Sequence, residues 1–328
     1  MTTLHFGLDE GSGAKKLWGP HGGLEQPAQA ASAGQAHLTG NIAGLRSQTP
    51  PLRITLEGGV FYVGAEAHQW GRPVENLADE RLNGSPETRA LVYATFTRYL
   101  QQFGAPAGPV HLTLGLSQLP LAESQAAATL KGVRWLKGAH TWQAEGQPYT
   151  LEVSGVTTTT QAAGALFDYL LDDAGAFIPA RKPLFQQEIG VVSIGMNTLE
   201  LMAIHNGAPV PRFTRAETAG VRRLLELLDP AAQYSRGELD SLRRAGKLDT
   251  RAALPIWSSE VLGHLERHWG TAFRRFGIVL LVGGGALLLH TALMGRFNGK
   301  GYLPDAPVLS IARGLYKLAL MRAQRKRD

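Results

Sequence analysis

Cysteine is absent from all 328 residues, which excludes disulfides, thiolate metal sites and thiol nucleophiles. Long apolar runs are scarce as well. The longest, residues 278–289, is short for a bilayer span and is broken by Gly283, Gly284 and Gly285, so no membrane span is expected. A signal peptide's charged and then apolar pattern is also missing, because strand-like sequence begins at Leu4; a cytoplasmic location is the expectation. Charged residues make up only 18% against 44% hydrophobic, a balance that excludes a disordered chain and provides for two cores. The formal charge of +6 is carried mostly by Arg313, Lys317, Arg322, Arg325, Lys326 and Arg327 near the carboxyl end. The rest of the chain is close to neutral, so direct sequence-specific DNA binding is not expected.

What the chain does have is glycine, 39 residues of it, placed at turns. A strand from Leu4 runs into Asp9-Glu10-Gly11-Ser12-Gly13 and leaves through Lys15-Lys16-Leu17-Trp18. Gly11 and Gly13 let backbone N–H groups face open space and cradle an oxyanion. Asp9 is suited to a hydrated divalent cation, and Lys16 to a phosphate. An ordinary glycine-rich hairpin with a surface carboxylate is the competing reading.

Downstream, Leu52 to Val63 reads as a hairpin through Gly58-Gly59, and residues 20–50 read as a loop or insertion. Ser85 and Pro86 open a helix that Gly104 ends, with Val92, Phe96, Tyr99, Leu100 and Phe103 on one face. Val110 to Leu116 is a strand, Thr141 to Val153 a hairpin turning at Glu145-Gly146, and Gln161 to Asp172 a helix. The pattern then restarts: Ile189 to Ile194, a turn at Gly195-Met196-Asn197, and Thr198 to Ile204 repeat the first hairpin, which suggests duplication. Helices are expected at residues 216–228, 236–245 and 256–276. A strand over 278–282 enters the triple glycine, a helix follows from Ala286, and a final helix starts near Ser310. On that last helix Ile311, Leu315, Leu318 and Met321 form a packing face.

Four pieces in this order resemble the actin-like ATPases, most closely the ParM-type plasmid-segregation actins and archaeal actin-like proteins. Asp9 to Lys16 is similar to their first phosphate loop, and Val191 to Glu200 to the second. Val279 to Ala286 resembles the adenosine motif, and Pro307 to Gly314 the segment that enters the last helix. The resemblance implies an α/β, actin-like ATPase (ribonuclease H-like) fold with two duplicated domains around a nucleotide cleft. Domain I would be residues 1–178 completed by the C-terminal helix 308–328, and domain II residues 185–307. It further implies ATP or GTP with Mg²⁺, held by Gly11, Ser12, Gly13, Lys16, Gly195, Asn197, Thr198, Gly220, Gly283, Gly284 and Gly285, with Asp9 toward the metal. Taken alone, the triple glycine reads equally as a tight strand-to-helix turn.

The catalytic set implied is Asp9, Ser193 and Gln161, the last orienting the lytic water; alternatively Gln161 is simply a polar helix-start residue. The family usually carries aspartate where this chain has Ser193 and Glu200. A serine brings no charge to the metal's water shell, so slow or impaired hydrolysis is expected. The implied function is an ATP-dependent filament that segregates plasmid DNA through head-to-tail self-assembly and a DNA-bound adaptor. A non-hydrolysing scaffold of pilus or division machinery and a phosphotransferase of the same superfamily are the alternatives. His264 and His268 stand one helical turn apart, but the intervening glutamate is in the wrong slot for a zincin and no third ligand is visible; a solvated helix face is the expectation.

Overall fold

The computed structural model describes residues 3–34, 48–74, 82–118 and 126–325. In the first half the strands are β1 (Leu4–Glu10), β2 (Ala14–Gly19), β3 (Gly22–Pro27), β4 (Ala30–Ala33), β5 (Leu52–Leu56), β6 (Gly59–Val63), β7 (Gly71–Val74), β8 (Val110–Leu116), β9 (Gly138–Ala144) and β10 (Gln147–Thr160). They form one ten-stranded sheet in the order β3-β2-β1-β8-β10-β9-β5-β6-β4-β7. Helices α1 (Pro86–Phe103), α2 (Ala126–Gly132) and α3 (Gln161–Leu170) complete this half. The second half holds β11 (Ile189–Ile194), β12 (Leu199–His205), β13 (Ala208–Pro209), β14 (Arg215–Glu217), β15 (Ile278–Val282) and β16 (Gly301–Tyr302). Its helices are α4 (Val221–Leu228), α5 (Arg236–Arg244), α6 (Ala253–Trp269), α7 (Gly284–Leu288) and α8 (His290–Phe297), with α9 (Ser310–Arg325) last.

The two sheets repeat one topology. β3-β2-β1-β8-β10 and β13-β12-β11-β15-β16 each begin with two antiparallel pairings and end with two parallel ones. The first sheet is longer because β10 serves twice. A register shift between Val153 and Gly155 lets its first part pair with β9 and its second part with β8. The β9–β10 turn falls at Glu145 and Gly146, both with positive φ (51° and 78°), the signature of a tight two-residue hairpin.

Local signals explain most elements. The Ser85 side chain accepts the Thr88 N–H at the start of α1, Pro86 sits in its first turn, and Gly104 (φ 86°) ends it. Thr160 caps α3 in the same way through the Ala163 N–H. α1 covers one face of the first sheet, burying Phe96 and Tyr99 against Phe6.

Between the two sheets lies a layer made of α3 and α9. Ile311 and Leu315 of α9 and Ala165 and Leu166 of α3 pack on Val191, Leu280 and Val282 of the second sheet. The expected face of the last helix, Ile311, Leu315, Leu318 and Met321, is buried throughout. Contact in this layer is close enough to require glycine: a Cβ on Gly314 would fall 1.8 Å from the Gly164 carbonyl, and one on Gly7 of β1 would fall 2.1 Å from the Ala312 carbonyl. A polar lock adds direction. The Asp168 carboxylate accepts from Ser310 Oγ at 2.6 Å and from Arg313 Nε and Nη2 at 2.6 and 2.8 Å, with Lys317 Nζ at 3.3 Å. Hydrogen bonding to Asp168 holds the Arg313 pKa above its ordinary value.

Four expectations need correction. Residues 20–50 are not simply loop: β3 and β4 lie there, with residues 35–47 outside the described set. Their small residues show no alternation, and β2 and β6 recruit them as neighbouring strands. Residues 216–228 are not one helix, because Arg215–Glu217 pairs with β12 and α4 begins only after Gly220. α6 spans Ala253–Trp269 and stops at Gly270 (φ 47°) short of residue 276. The helix after the triple glycine begins at Gly284, with Gly283 (φ 90°) as its cap.

Gly314→Ala is expected to lower stability by about 1–3 kcal/mol or more, the range for overpacking, since backbone on α3 cannot yield. Gly263→Ala, in an exposed α6 position with nothing within 4 Å of the added Cβ, should raise it by up to about 1 kcal/mol. Denaturant unfolding of both variants checks this pair; equal effects would contradict the packing described.

Candidate functional site

Strand alternation decides which residues meet at the central layer. In β1, Phe6 and Leu8 enter the core beneath α1, so Gly7 and Asp9 face α9. In β11, Val192 and Ile194 enter the core of the second half, so Val191 and Ser193 face α3 and α9. Asp9 and Ser193 therefore occupy equivalent positions in the two repeats and are turned toward the same layer.

Asp9 is buried, 1% exposed, and a buried carboxylate must be paired. Lys16, its cross-strand partner, places Nζ 3.1 Å from Oδ2. Gln161, the first residue of α3, donates from Nε2 to Oδ1 at 2.6 Å. Three residues singled out from the sequence are thus joined in one cluster. On the other face of the same hairpin, Lys15 and Glu10 form a buried ion pair. Gly11 lies against Lys16 Nζ and the Ala14 carbonyl, leaving no room for a Cβ.

The second turn is held from behind. Gly195 N–H closes it on the Thr198 carbonyl at 2.9 Å. The carbonyls of Asn197, Gly195 and Met196 accept the Gly220, Val221 and Arg222 N–H groups at the start of α4, at 3.3, 3.0 and 2.7 Å. A helix start leaves such N–H groups without intrahelical partners, and here the turn supplies them. Across a planar trans peptide, N–H points opposite to the preceding C=O. The N–H groups of Met196, Asn197 and Thr198 are therefore directed away from α4, which is the orientation an anion needs. Gly195 acts as the closing residue of the turn, with its own N–H already engaged. Gly220 backs the turn, since a Cβ there would strike the Met196 carbonyl at 2.5 Å.

The two turns meet: a Cβ on Gly13 would sit 2.8 Å from the Met196 Cβ. Beside the contact is a cavity of about 150 Å³ lined by Ser12, Gly13, Met196 and Asn197, with Arg222 and Arg236 at its wall. Gly283 and Gly285 pack on the backbone and side chain of Ile194, just before the second turn, while Gly284 faces open space. Of the glycines assigned to a nucleotide, Gly11, Gly13, Gly195 and Gly220 are thus in or against these turns, whereas Gly283 and Gly285 serve packing on Ile194. The fit to a phosphate chain rests on the backbone N–H donors of the two turns. For a cation it is narrower, because both Asp9 oxygens are engaged and Ser193 is neutral, which leaves room for contact through water.

Several contacts across the halves carry no sequence signal. Gln118, just past β8, donates its backbone N–H to Glu200 Oε1 at 2.9 Å. From α5, Arg244 reaches Glu25 at 2.5 Å, Asp240 at 2.7 Å and the Gly13 carbonyl at 3.3 Å. Burial works against the Arg244 charge, but Asp240 and Glu25 outweigh it and raise its pKa. Ser241 Oγ donates to Gln29 Oε1 at 2.8 Å and accepts the Glu66 N–H at 3.2 Å. These partners lie far apart in sequence and only the fold joins them. The expected solvated face at His264 and His268 is also different: both rings are partly buried and turned toward Glu217.

No family model and no curated protein sequence matches the chain. Solved structures do, over the full length. The apo psk41 ParM protein matches with a TM-score of 0.72 at 15% identity, covering 100% of both chains. A ParM from a 15-stranded filament of Clostridium botulinum matches at 0.68 and 18% identity, covering 97% of this chain and 99% of its own. Ta0583, an archaeal actin homologue in complex with ADP, matches at 0.70 and 16% identity, again covering 97% and 99%. No helix among the described residues is long and apolar enough to cross a membrane. With two mixed sheets of repeated topology and full-length likeness to ParM proteins and an archaeal actin homologue, this chain has the actin-like fold.

Proposed function

We propose that this protein binds ATP, or GTP, with Mg²⁺ between its two turns and assembles head to tail into filaments that act in DNA segregation through a DNA-bound adaptor. The observation that carries the reading is the meeting of Gly13 with Met196, which brings two N–H-bearing turns from separate repeats to one place. In this reading residues 1–178, with 308–328, form domain I and residues 185–307 form domain II. Lys16 and the N–H groups of both turns would hold the phosphates, Gly283 to Gly285 would admit the nucleoside, and Asp9 would take the water shell of Mg²⁺. The cation neutralises phosphate charge when bound. Gln161, held 2.6 Å from Asp9, would orient the attacking water. Head-to-tail contacts that do not close generate filaments, and the Clostridium botulinum ParM that this fold resembles is a filament subunit.

A specific feature favours a second reading, that of a nucleotide-binding scaffold with little turnover. Ser193 stands opposite Glu200 in the second hairpin and contributes no carboxylate at the position equivalent to Asp9.

Three measurements decide. Calorimetry should give one ATP per chain, and Lys16→Ala should weaken it about tenfold to hundredfold, the worth of a charged hydrogen bond; unchanged affinity would contradict the role of Lys16. Ser193→Asp should raise the ATPase rate at least about tenfold if the engine is merely weakened, whereas an unchanged rate favours the scaffold. Sedimentation and electron microscopy should show filaments only with nucleotide, and monomers at all concentrations would end the cytoskeletal reading.

A further inference from the structure

On the outer side of the second half, α6 lies along β14. Two buried tryptophans fix that register. Trp257 Nε1 donates to the Ala219 carbonyl at 3.0 Å and Trp269 Nε1 to the Phe213 carbonyl at 2.9 Å. Those carbonyls flank β14 on both sides, so α6 is fastened at each end of the strand. Between the two fastenings stand His264 and His268 on the helix and Glu217 on the strand.

The three side chains converge. His268 Nε2 is 2.6 Å from Glu217 Oε1, and His264 Nδ1 is 3.8 Å from the same oxygen. One ligand atom from each residue falls within 4.8 Å of the others. The two imidazoles lie one helical turn apart and nearly parallel, 14° between planes with centroids 6.4 Å apart, as i and i+4 residues on one face must. His264 Nδ1 is buried and finds no hydrogen-bond partner among the described residues. An orphaned ring nitrogen beside a second imidazole and a carboxylate lacks a hydrogen-bonding explanation, and a cation supplies one.

We propose that Glu217, His264 and His268 form a binding site for a divalent transition-metal ion of the zinc class. Two imidazole nitrogens and one carboxylate oxygen are a donor set that zinc accepts in tetrahedral geometry, with a water in the fourth position. Metal–ligand bonds of about 2.0–2.2 Å require the ligand atoms to draw into a common sphere. His264 must approach and His268 must ease away from Glu217, changes that side-chain rotation provides. The carboxylate offsets half of the ion's charge. His264, His268 and Glu217 are partly exposed, at 22%, 15% and 29% respectively, which leaves an entry path. The neighbouring Glu260 is already committed to Arg223, at 2.7 and 2.8 Å, and this pairing holds its pKa below the usual carboxylate range; it is not a ligand. The chain has no cysteine, so a nitrogen and oxygen set of this kind is the form such a site must take here.

The alternative is a simple histidine–carboxylate hydrogen bond with a stacked second histidine. Zinc binding to the full chain without an affinity tag separates the two. After dialysis against Zn²⁺, elemental analysis should find one ion per chain, and Co²⁺ in its place should give the intense visible absorption of a tetrahedral site. Glu217→Gln keeps a hydrogen-bond acceptor for His268 but loses the charge, and should weaken zinc binding at least about tenfold, since even outer partners of metal ligands cost that much. His264→Ala with His268→Ala should abolish it. Mg²⁺ should not compete. Melting curves in chelator confirm that each variant is folded, and Glu217→Gln keeps the test decisive if the double variant is not. Failure to retain zinc, or retention unchanged by these substitutions, overturns the proposal. Neither outcome depends on whether the chain binds nucleotide.

Discussion

The packing of α3 against α9 between the two sheets is the contact on which everything else depends. The helices meet where Gly164 and Gly314 remove both side chains, and Asp168 fixes their relative slide by gathering Ser310, Arg313 and Lys317. A buried carboxylate with this many donors tolerates little displacement, because any lost partner leaves charge uncompensated. α9 is also pressed on β1 at Gly7, two residues before Asp9, and Gln161 begins α3. Tight packing of two helices thus becomes placement of the Asp9–Gln161 pair to hydrogen-bond accuracy.

A second constraint acts on the other repeat. The first N–H groups of α4 are spent on the carbonyls of the second turn, so the helix start does not itself face a ligand. It works one step removed, by turning the peptide planes so that the N–H groups of Met196 to Thr198 point the other way. The electrostatic balance is unusual in one respect. Asp9 is matched by Lys16 and Ser193 adds nothing, so the turns together carry little net charge. In the proposed reading, an incoming polyanion meets less repulsion than two carboxylates would impose, while a cation finds a weaker hold. Under that proposal the balance would favour holding a nucleotide over driving its hydrolysis.

Much of this was legible in the residues. Asp9 and the glycines after it declare a turn too open for packing alone, Ser85 and Pro86 announce a helix start, and the repeat at Ile189 announces duplication. The resemblance to actin-like proteins gave the fold that the structural neighbours then matched. β3 and β4 stayed hidden because Gly22 to Ala33 is poor in β-branched residues and owes its extended form to its neighbours. β14 stayed hidden for a different reason: Ala216 to Leu228 reads as one helix until Gly220 is seen to cap α4. Missing β14 also concealed Glu217, so the histidine pair on α6 lacked a third partner in sequence. Arg244 bears no mark of its contact with Glu25 and Gly13, since contacts across distant segments leave no periodicity behind.

The central claim is that both turns act on one ligand. Amide hydrogen exchange with and without ATP and Mg²⁺ tests it most directly. The account predicts that residues 11–14 and 196–198 gain protection together and at the same nucleotide concentration. Protection confined to one turn, or to neither, would contradict it.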